Sequence, residues 1–479
     1  MTVRSPAVAP SLWQRLRDAL FAPVDNASLV FFRIAFGLLM LWEVSRYFRY
    51  GWIHPQWIEP QFLFKYYGFS WVRPWLGNGM YIHWWALGGL AAFITIGFLY
   101  RLSTALFFLG FTYCFLLDQA TYLNHFYLIC LLSFLLIFLP ANRALSADAW
   151  FRPRLRAQTA PAWALWILRA QIAIVYFFGG LAKFSPDWLR GEPMRAHMAK
   201  NTSFPVIGQF FREEWAVYAV SYGGLFLDLL IAPLLLWRRT RIPALCAGII
   251  FHLINSQLFR IGIFPWLGIA ATLLFLPPSW PRWLIHLVRR KTPLASESAS
   301  ARALPRHATV VLSLLGVYVL LQLLVPLRHF LYPGRVDWTS EGHRFSWRMK
   351  LVDRQARARF YVIDENVGRE AQVNPRTYLR SVQANKMAAT PDMILQFAHF
   401  LAGKLPQRGV KPLRVEARVM ASLNGRKPEL FVNQSVNLAA EPRTLRPAPW
   451  ILPMKEPLPM IRPVDAKPAP AEESEPGAE

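Results

Sequence analysis

Cysteine is nearly missing from this chain: three in 479 residues, Cys114, Cys130 and Cys246, each inside a long apolar run. That excludes a disulfide framework and leaves no zinc-ligand spacing, so the three read as small packing residues. Acidic residues are scarce too, 28 against 53 Lys and Arg, and charged residues of both signs make up only 17% of the chain. Hydrophobic residues make up 54% and aromatics 15%, a mixture from which soluble domains of this length are not built. There is no internal repeat and no helix broken at its middle, which argues against a transporter built from inverted halves. No cleavable signal pattern is visible.

What is present is a succession of long apolar windows, near residues 28–44, 82–99, 103–119, 125–140, 162–182, 216–236, 242–258, 262–277 and 308–326. Each approaches the roughly 17–25 residues that cross a bilayer as a helix. The expected fold is a polytopic α-helical membrane protein of about nine spans, with 103–119 and 125–140 short enough to form a re-entrant pair. Ahead of it, residues 1–25 form an amphipathic segment with Trp13, Leu16, Leu20 and Phe21 on one face, suited to the membrane interface. The net charge of +25 raises the question of nucleic acid, but its distribution answers it differently. With nine spans, the amino terminus and the loops near 101, 141–161, 237–241 and 278–307 carry 17 Lys and Arg, against 10 in the opposite set. The positive-inside rule then puts the amino terminus in the cytoplasm and everything after residue 327 on the exported side of what is expected to be a bacterial inner membrane. The basic excess is a topology signal and an attraction to anionic lipid, and no nucleic-acid partner is expected.

Residues 46–80 hold four Trp with several Tyr and Phe but no long apolar run, as expected of a cap on the outer leaflet that covers a cavity mouth. Beyond the last span the pattern changes. RARFYVID (357–364) alternates like a strand, Asn424-Gly425 between two alternating runs signals a hairpin, and PDMILQFAHFLAGKL (391–405) reads as a helix opening on proline. Residues 26–327 thus form the membrane domain, 333–455 an exported α+β or β-sandwich-like domain, and 456–479, rich in Pro, Ala and Glu, a disordered tail.

Polar groups at the ends of apolar spans are costly and usually face a cavity. Three clusters stand out: Asp118, Asn124 and His125; Lys183, Asp187 and Trp188; and His252, Asn255, Ser256, Gln257 and Arg260. The topology puts all three at the same outer boundary, and His252 and Asn255, three apart, share a helix face. A shared polar cavity is the simplest reading. Taken alone, Lys183 would snorkel to the interface and His252 would be a packing histidine; the convergence is what points to a site. Arg33 and Arg169, inside spans, read as structural, Arg33 pairing with Glu43 or a loop carbonyl.

These segments resemble the vitamin K-dependent γ-glutamyl carboxylases and their bacterial relatives with a horizontally transferred transmembrane (HTTM) domain. YFFGGLAKFSPDWLRGEPM is similar to the family's lysine segment, FHLINSQLFRIGIFPW to its His-x-x-Asn-Ser-Gln-Leu-Phe segment and YLNHFYL to its Asn-His-x-Tyr-Leu element. DWTSEGHRFSWRMKL resembles the start of the exported domain, and PDMILQFAHFLA and SLNGRKPEL are similar to the bacterial branch; the likeness runs from about residue 25 to 455. It implies oxidation of reduced vitamin K or menaquinol by O₂ to the 2,3-epoxide, with the strong base so formed taking the γ-proton of a glutamate in a protein or peptide on the exported side. CO₂ then adds to the carbanion, and no metal takes part. The position of Lys183 is the family's base toward the hydroquinone. Desolvation disfavours an ammonium, so a lysine at a dry cavity is suited to that task. The resemblance further implies that His252, Asn255 and Gln257 bind the quinone and that Asn124 and His125 orient the glutamate or stabilise developing charge. Two departures stand out. SWRMKLVDRQ has no histidine where animal members have one, although Arg354 remains, and no cysteine ties the exported domain to the membrane domain. Quinol oxidation without peptide carboxylation, and a non-enzymatic transport or lipid-binding role, are the competing readings.

Overall fold

The computed structural model describes residues 11–259, 261–288, 305–364, 368–404 and 413–459. The amphipathic segment is helix α1 (Leu12–Phe21), closed at its start by a Ser11–Gln14 capping box. Its Leu12, Trp13 and Leu16 are exposed. A short strand β1 (Pro23–Asp25) follows, and then the apolar helices α2 (Ala27–Arg49), α3 (Gly79–Ile96), α4 (Tyr100–Leu117) and α5 (Asn124–Phe138). After α6 (Ala147–Phe151) and β2 (Thr159–Pro161), which pairs antiparallel with β1, come α7 (Ala162–Leu181), α8 (Pro186–Leu189), α9 (Met194–Ala199), α10 (Glu214–Leu236) and α11 (Arg241–Phe259). The membrane domain closes with α12 (Phe264–Thr272), α13 (Trp280–Val288) and α14 (Ala308–Leu327).

Every expected span is a helix, but they are not equivalent. Seven are long and apolar enough to cross a membrane; α5 and α12 are shorter. Helix α5, Asn124–Phe138, rises only about 22 Å at the helical rise per residue. A hydrocarbon core is roughly 30 Å thick. Helix α5 is therefore a buried helix of the bundle whose ends other elements must cover. The intramembrane arginines end on carbonyls. Arg33 donates to Ala141 O at 3.1 Å and Leu145 O at 2.5 Å, and Arg169 to Leu274 O and Leu276 O at 2.8 and 3.0 Å. Glu43 instead takes Arg46, at 2.5 Å, because the i,i+3 spacing puts the two on one face of α2.

Backbone bonds gather one end of the bundle. Asn26 N–H donates to Gln158 O, Ser28 N–H to Pro278 O and Asp148 N–H to Gly97 O, so the amino-terminal segment and the loops near 97, 140–161 and 278 share a face. The carboxy-terminal domain sits at the other end. It is introduced by α15 (Val336–Thr339) and is an α+β unit, with one antiparallel sheet of order β4-β3-β5-β6 and two helices, α16 (Ser381–Ala388) and α17 (Pro391–Lys404). Its strands are β3 (Arg354–Asp364), β4 (Arg369–Val373), β5 (Leu413–Leu423) and β6 (Glu429–Leu430). The β-sandwich alternative falls away because only one sheet forms among the described residues of this domain; α17 supplies the second layer, packing Ile394, Phe397 and Leu401 against Phe360, Val415 and Val419. At the β5–β6 turn Asn424 and Gly425 both take left-handed backbone, with φ of 52° and 76°. The Asn-Gly hairpin signal requires that conformation. The expected tail boundary at 456 falls inside ordered chain: Lys455 N–H and Glu456 N–H donate to the Glu429 carboxylate and Arg426 to Glu456 O. Residues 460–479 lie outside the described residues.

The two halves do not merely touch. Trp347 is buried in the core of the membrane bundle, stacked on Tyr127 at 5.0 Å, while Phe64 and Ala120 are buried in the core of the carboxy-terminal domain.

Candidate active site

The site is built on the helix pair α7–α10. Gly179 and Gly180 end α7 without side chains, and a Cβ on Gly180 would lie 2.7 Å from Leu229 Cγ and 2.9 Å from its backbone nitrogen. The close approach needs glycine there. It brings Asp228 of α10 onto Lys183, and the ammonium makes a short ion pair with Asp228 Oδ2 while also donating to Gly179 O at 3.3 Å. Both side chains are buried. Trp188 lies over the ammonium, with Nζ 5.3 Å from the ring centroid, and is itself fixed by donating Nε1–H to Ser221 O at 2.9 Å.

This pair faces a cavity of about 490 Å³ whose other walls come from α11 and α12. His252 and Asn255 both reach it, as their shared face predicts. His252 Nε2 and the Tyr176 hydroxyl are 2.7 Å apart, and Tyr176 is 3.2 Å from Thr272 Oγ1. The other ring nitrogen, Nδ1, is buried with no hydrogen-bond partner among the described residues. Gly268 makes room for the ring, since a Cβ there would fall onto it. The Asn255 amide has no hydrogen-bond partner among the described residues, which leaves it free for a ligand. Apart from Lys350, the remaining walls are largely apolar: Ile172, Val175, Leu227, Phe251, Ile254 and Phe264 among them. An apolar chamber of this size with an ion pair at one wall and an orphaned imidazole nitrogen at another fits a flat ring carrying two polar oxygens.

The other expected site residues have different surroundings. His125 does not line the cavity; its ring lies 5.8 Å from Phe264, whose other neighbour is His252 at 5.9 Å. It makes no hydrogen bond among the described residues. Asn124 is fully engaged, accepting from Tyr122 O–H at 2.9 Å and donating to Arg348 O at 3.1 Å. It thereby pins the segment whose next residues, Met349 and Lys350, close the cavity. Gln257 is exposed and does not line the cavity, and among the described residues its side chain makes only a 3.5 Å contact to Ser256. One residue's step off the buried face of α11 is enough to turn it outward. Arg260 lies outside the described residues. Arg354 is half-buried between Trp338 and Phe431, bonded to Trp338 O and Ser340 Oγ, and supports the carboxy-terminal domain.

Two acids singled out with the cavity belong to the junction between the domains. Asp187 receives Arg426 at 2.6 and 2.9 Å, Arg335 at 2.9 Å and Asn424 Nδ2 at 2.8 Å. Burial opposes its ionisation, but Arg426 first, then Arg335 and Asn424, outweigh that and hold the carboxyl down at about 2. Asp118 accepts from Phe64 N–H, Ala120 N–H and Gln383 Nε2–H at 3.1, 2.9 and 3.0 Å, tying the 46–80 segment to α16. That segment does not cover the Lys183 cavity. Its Tyr66, Tyr67 and Phe69 line a second one of about 610 Å³, together with Arg328, His343 and Arg344. Burial, and after it Arg344, push the His343 imidazole down to about 3. Between the two cavities, the non-glycine residues Ser340, Phe345, Trp347 and Lys350 have φ of 58°, 62°, 57° and 54°. Left-handed backbone is concentrated in this way where surrounding structure over-determines a functional segment.

Asp228 and Tyr176 are the site residues that inspection of span ends missed. Asp228 had a signal, as a lone carboxylate inside an apolar run; Tyr176 had none, being one aromatic among many. Among the described residues no three His, Cys, Asp or Glu side chains gather as a metal ligand set.

No solved structure matches the chain. Its sequence matches the HTTM domain over residues 21–280 and the domain described as "Vitamin K-dependent gamma-carboxylase, lumenal domain" over residues 307–457. The first covers the bundle with the Lys183 cavity, the second the strained segment and the domain clamped to Asp187. Together they account for both halves of an integral membrane protein, and the chain belongs to the vitamin K-dependent gamma-carboxylase family.

Proposed function

We propose that this chain is a vitamin K-dependent γ-carboxylase-like membrane enzyme whose reduced quinone, vitamin K hydroquinone or menaquinol, binds in the cavity between Lys183 and His252. The observation that carries the proposal is the buried Lys183–Asp228 pair facing an apolar chamber on which an orphaned His252 nitrogen and a free Asn255 amide converge. Oxidation of the reduced quinone by O₂ to the 2,3-epoxide supplies a base strong enough to take a γ-proton from a glutamyl peptide, and CO₂ adds where the proton left. The chain's own task is the first proton and the exclusion of water. As ammonium and carboxylate, Lys183 and Asp228 have room for one more proton, on the carboxylate. Lys183 passes a proton to Asp228 and, as the amine, accepts the phenolic proton; the pair ends as ammonium and carboxylic acid, and the ammonium stays beside the phenolate oxygen. His252 Nδ1 and the Asn255 amide hydrogen-bond the ring oxygens, with the imidazole oriented by Tyr176. Met349 and Lys350 close the chamber over them, so Asn124 acts as a positioning residue through Arg348. His125 stands across Phe264 from His252, outside the chamber.

One observation favours quinol oxidation without carboxylation as a second reading: the closing segment presents Met349 and Lys350 and carries no histidine. The test is purified protein in lipid nanodiscs with reduced vitamin K, O₂, ¹⁴C-bicarbonate and a glutamyl peptide, with epoxide and fixed label measured separately. Both products support the carboxylase reading, epoxide alone the second; neither product with vitamin K or menaquinol overturns both.

A further inference from the structure

The end of the bundle remote from the candidate active site carries two adjoining clefts that the proposed function does not use. One, of about 640 Å³, opens between Arg143, Arg156 and Arg282; the other, of about 380 Å³, between Arg101, Arg143 and Arg152, so Arg143 is common to both. Among the described residues the only acid lining either is Asp148. It is already occupied, accepting from Leu99 N–H, Tyr100 N–H and Asn142 Nδ2–H at 2.8, 3.0 and 2.7 Å. The Arg101 and Arg152 side chains make no hydrogen bond or ion pair among the described residues, while Arg143 donates Nη1–H to Thr159 O at 3.1 Å, so the smaller cleft sets three guanidinium groups against the one Asp148 carboxylate. Beside the clefts Leu145, Trp150 and Phe151 are 71%, 70% and 64% exposed. An apolar patch so exposed calls for a membrane interface. From the smaller cleft an apolar stripe runs along α4: Leu102, Leu106 and Leu109, spaced four and three apart and all exposed.

We infer that this face holds an anionic glycerophospholipid, its phosphate among Arg101, Arg143 and Arg152 and an acyl chain along Leu102, Leu106 and Leu109. Guanidinium groups suit a phosphate because their planar fork donates to two oxygens at once. A free phosphate would satisfy the arginines but has no use for the leucine stripe, and a zwitterionic lipid would fill the stripe but bring its own cation to the cleft. The lipid is thus selected by both parts together, and its site fixes the loop 140–155 against the start of α4.

The test is native mass spectrometry of full-length detergent-purified protein given phosphatidylglycerol, phosphatidylcholine or soluble glycerol 3-phosphate. Phosphatidylglycerol should be retained at least about fivefold over phosphatidylcholine, a preference the double variant Arg101→Gln/Arg152→Gln removes. Arg238→Gln/Arg239→Gln, which removes equal charge from a neighbouring loop outside the clefts, should keep it. Leu106→Ser should weaken retention with the arginines intact, which keeps the idea testable if the arginine variant unfolds. No headgroup preference, an equal loss in the Arg238/Arg239 variant, or displacement of the lipid by equimolar glycerol 3-phosphate would each overturn the site.

Discussion

Lys183 and Asp187 stand four residues apart, and each belongs to a buried ion pair, yet the two pairs have little else in common. Asp187 is surrounded by two guanidinium groups and an amide, four hydrogen bonds in all, from Arg335, Asn424 and Arg426 of the carboxy-terminal domain. Asp228, the partner of Lys183, accepts from nothing else among the described residues and lies on a cavity wall. A fully satisfied buried carboxylate stabilises one arrangement of the chain and resists any change of protonation. A sparsely satisfied pair beside empty apolar space has spare proton capacity and a place for a ligand to use it. Polar groups at one end of the bundle therefore sort by saturation, into a clamp between the domains and a pair that faces a cavity.

The sharpest way to break that contrast is Lys183→Arg. Arginine keeps the charge and reach but cannot release its proton, with a pKa above about 12. Epoxide formation should fall by about 10²–10⁴-fold, the range general-base catalysis commands, while the protein inserts and binds quinone. An active arginine variant would return Lys183 to the structural class. Asp228→Asn comes next and tests the pair as a unit. If the carboxylate takes the relayed proton, turnover should drop about a hundredfold at every pH. Should Lys183 work alone, turnover of the folded Asp228→Asn variant should stay close to that of the parent.

His252→Ala and Asn255→Ala should each weaken quinone binding by about 1–3 kcal/mol, the worth of a hydrogen bond to a buried group, measured by quinone titration of the folded variants. Unchanged affinity in both would place the ring elsewhere. Asp187→Asn should leave turnover at low temperature within about threefold but lower thermal stability by about 3–5 kcal/mol, because Arg426 is left buried without its partner. The clamp also has a pH signature. Its carboxyl is depressed in the folded state, so its stabilisation is present above the ordinary carboxylate range and is lost as pH falls from about 4 to about 2. Thermal melts of Asp187→Asn should lose that acid dependence. Smallest of all, Gln257→Ala should be silent in quinone binding, since its side chain is exposed; a measurable loss would return it to the site.

The apolar periodicity carried the bundle, because a helix in lipid must satisfy every backbone group within itself and therefore declares its length in consecutive apolar residues. The Asn-Gly turn, the proline that opens α17 and the alternation of β3 were legible for the same reason: each is a rule about neighbouring residues. So was the pairing of His252 with Asn255, three apart on one helix. What no local rule contains is which side chain meets which across helices. Asp228 lies 45 residues from Lys183 and Arg426 lies 239 from Asp187, and these contacts exist only because Gly180 admits α10 and the β5–β6 turn reaches back to α8. The sequence by itself determined that polar groups would collect at the ends of apolar helices; only the tertiary structure decided which were saturated across the domain junction and which were left facing a cavity, since saturation depends on donors and acceptors supplied from distant parts of the chain.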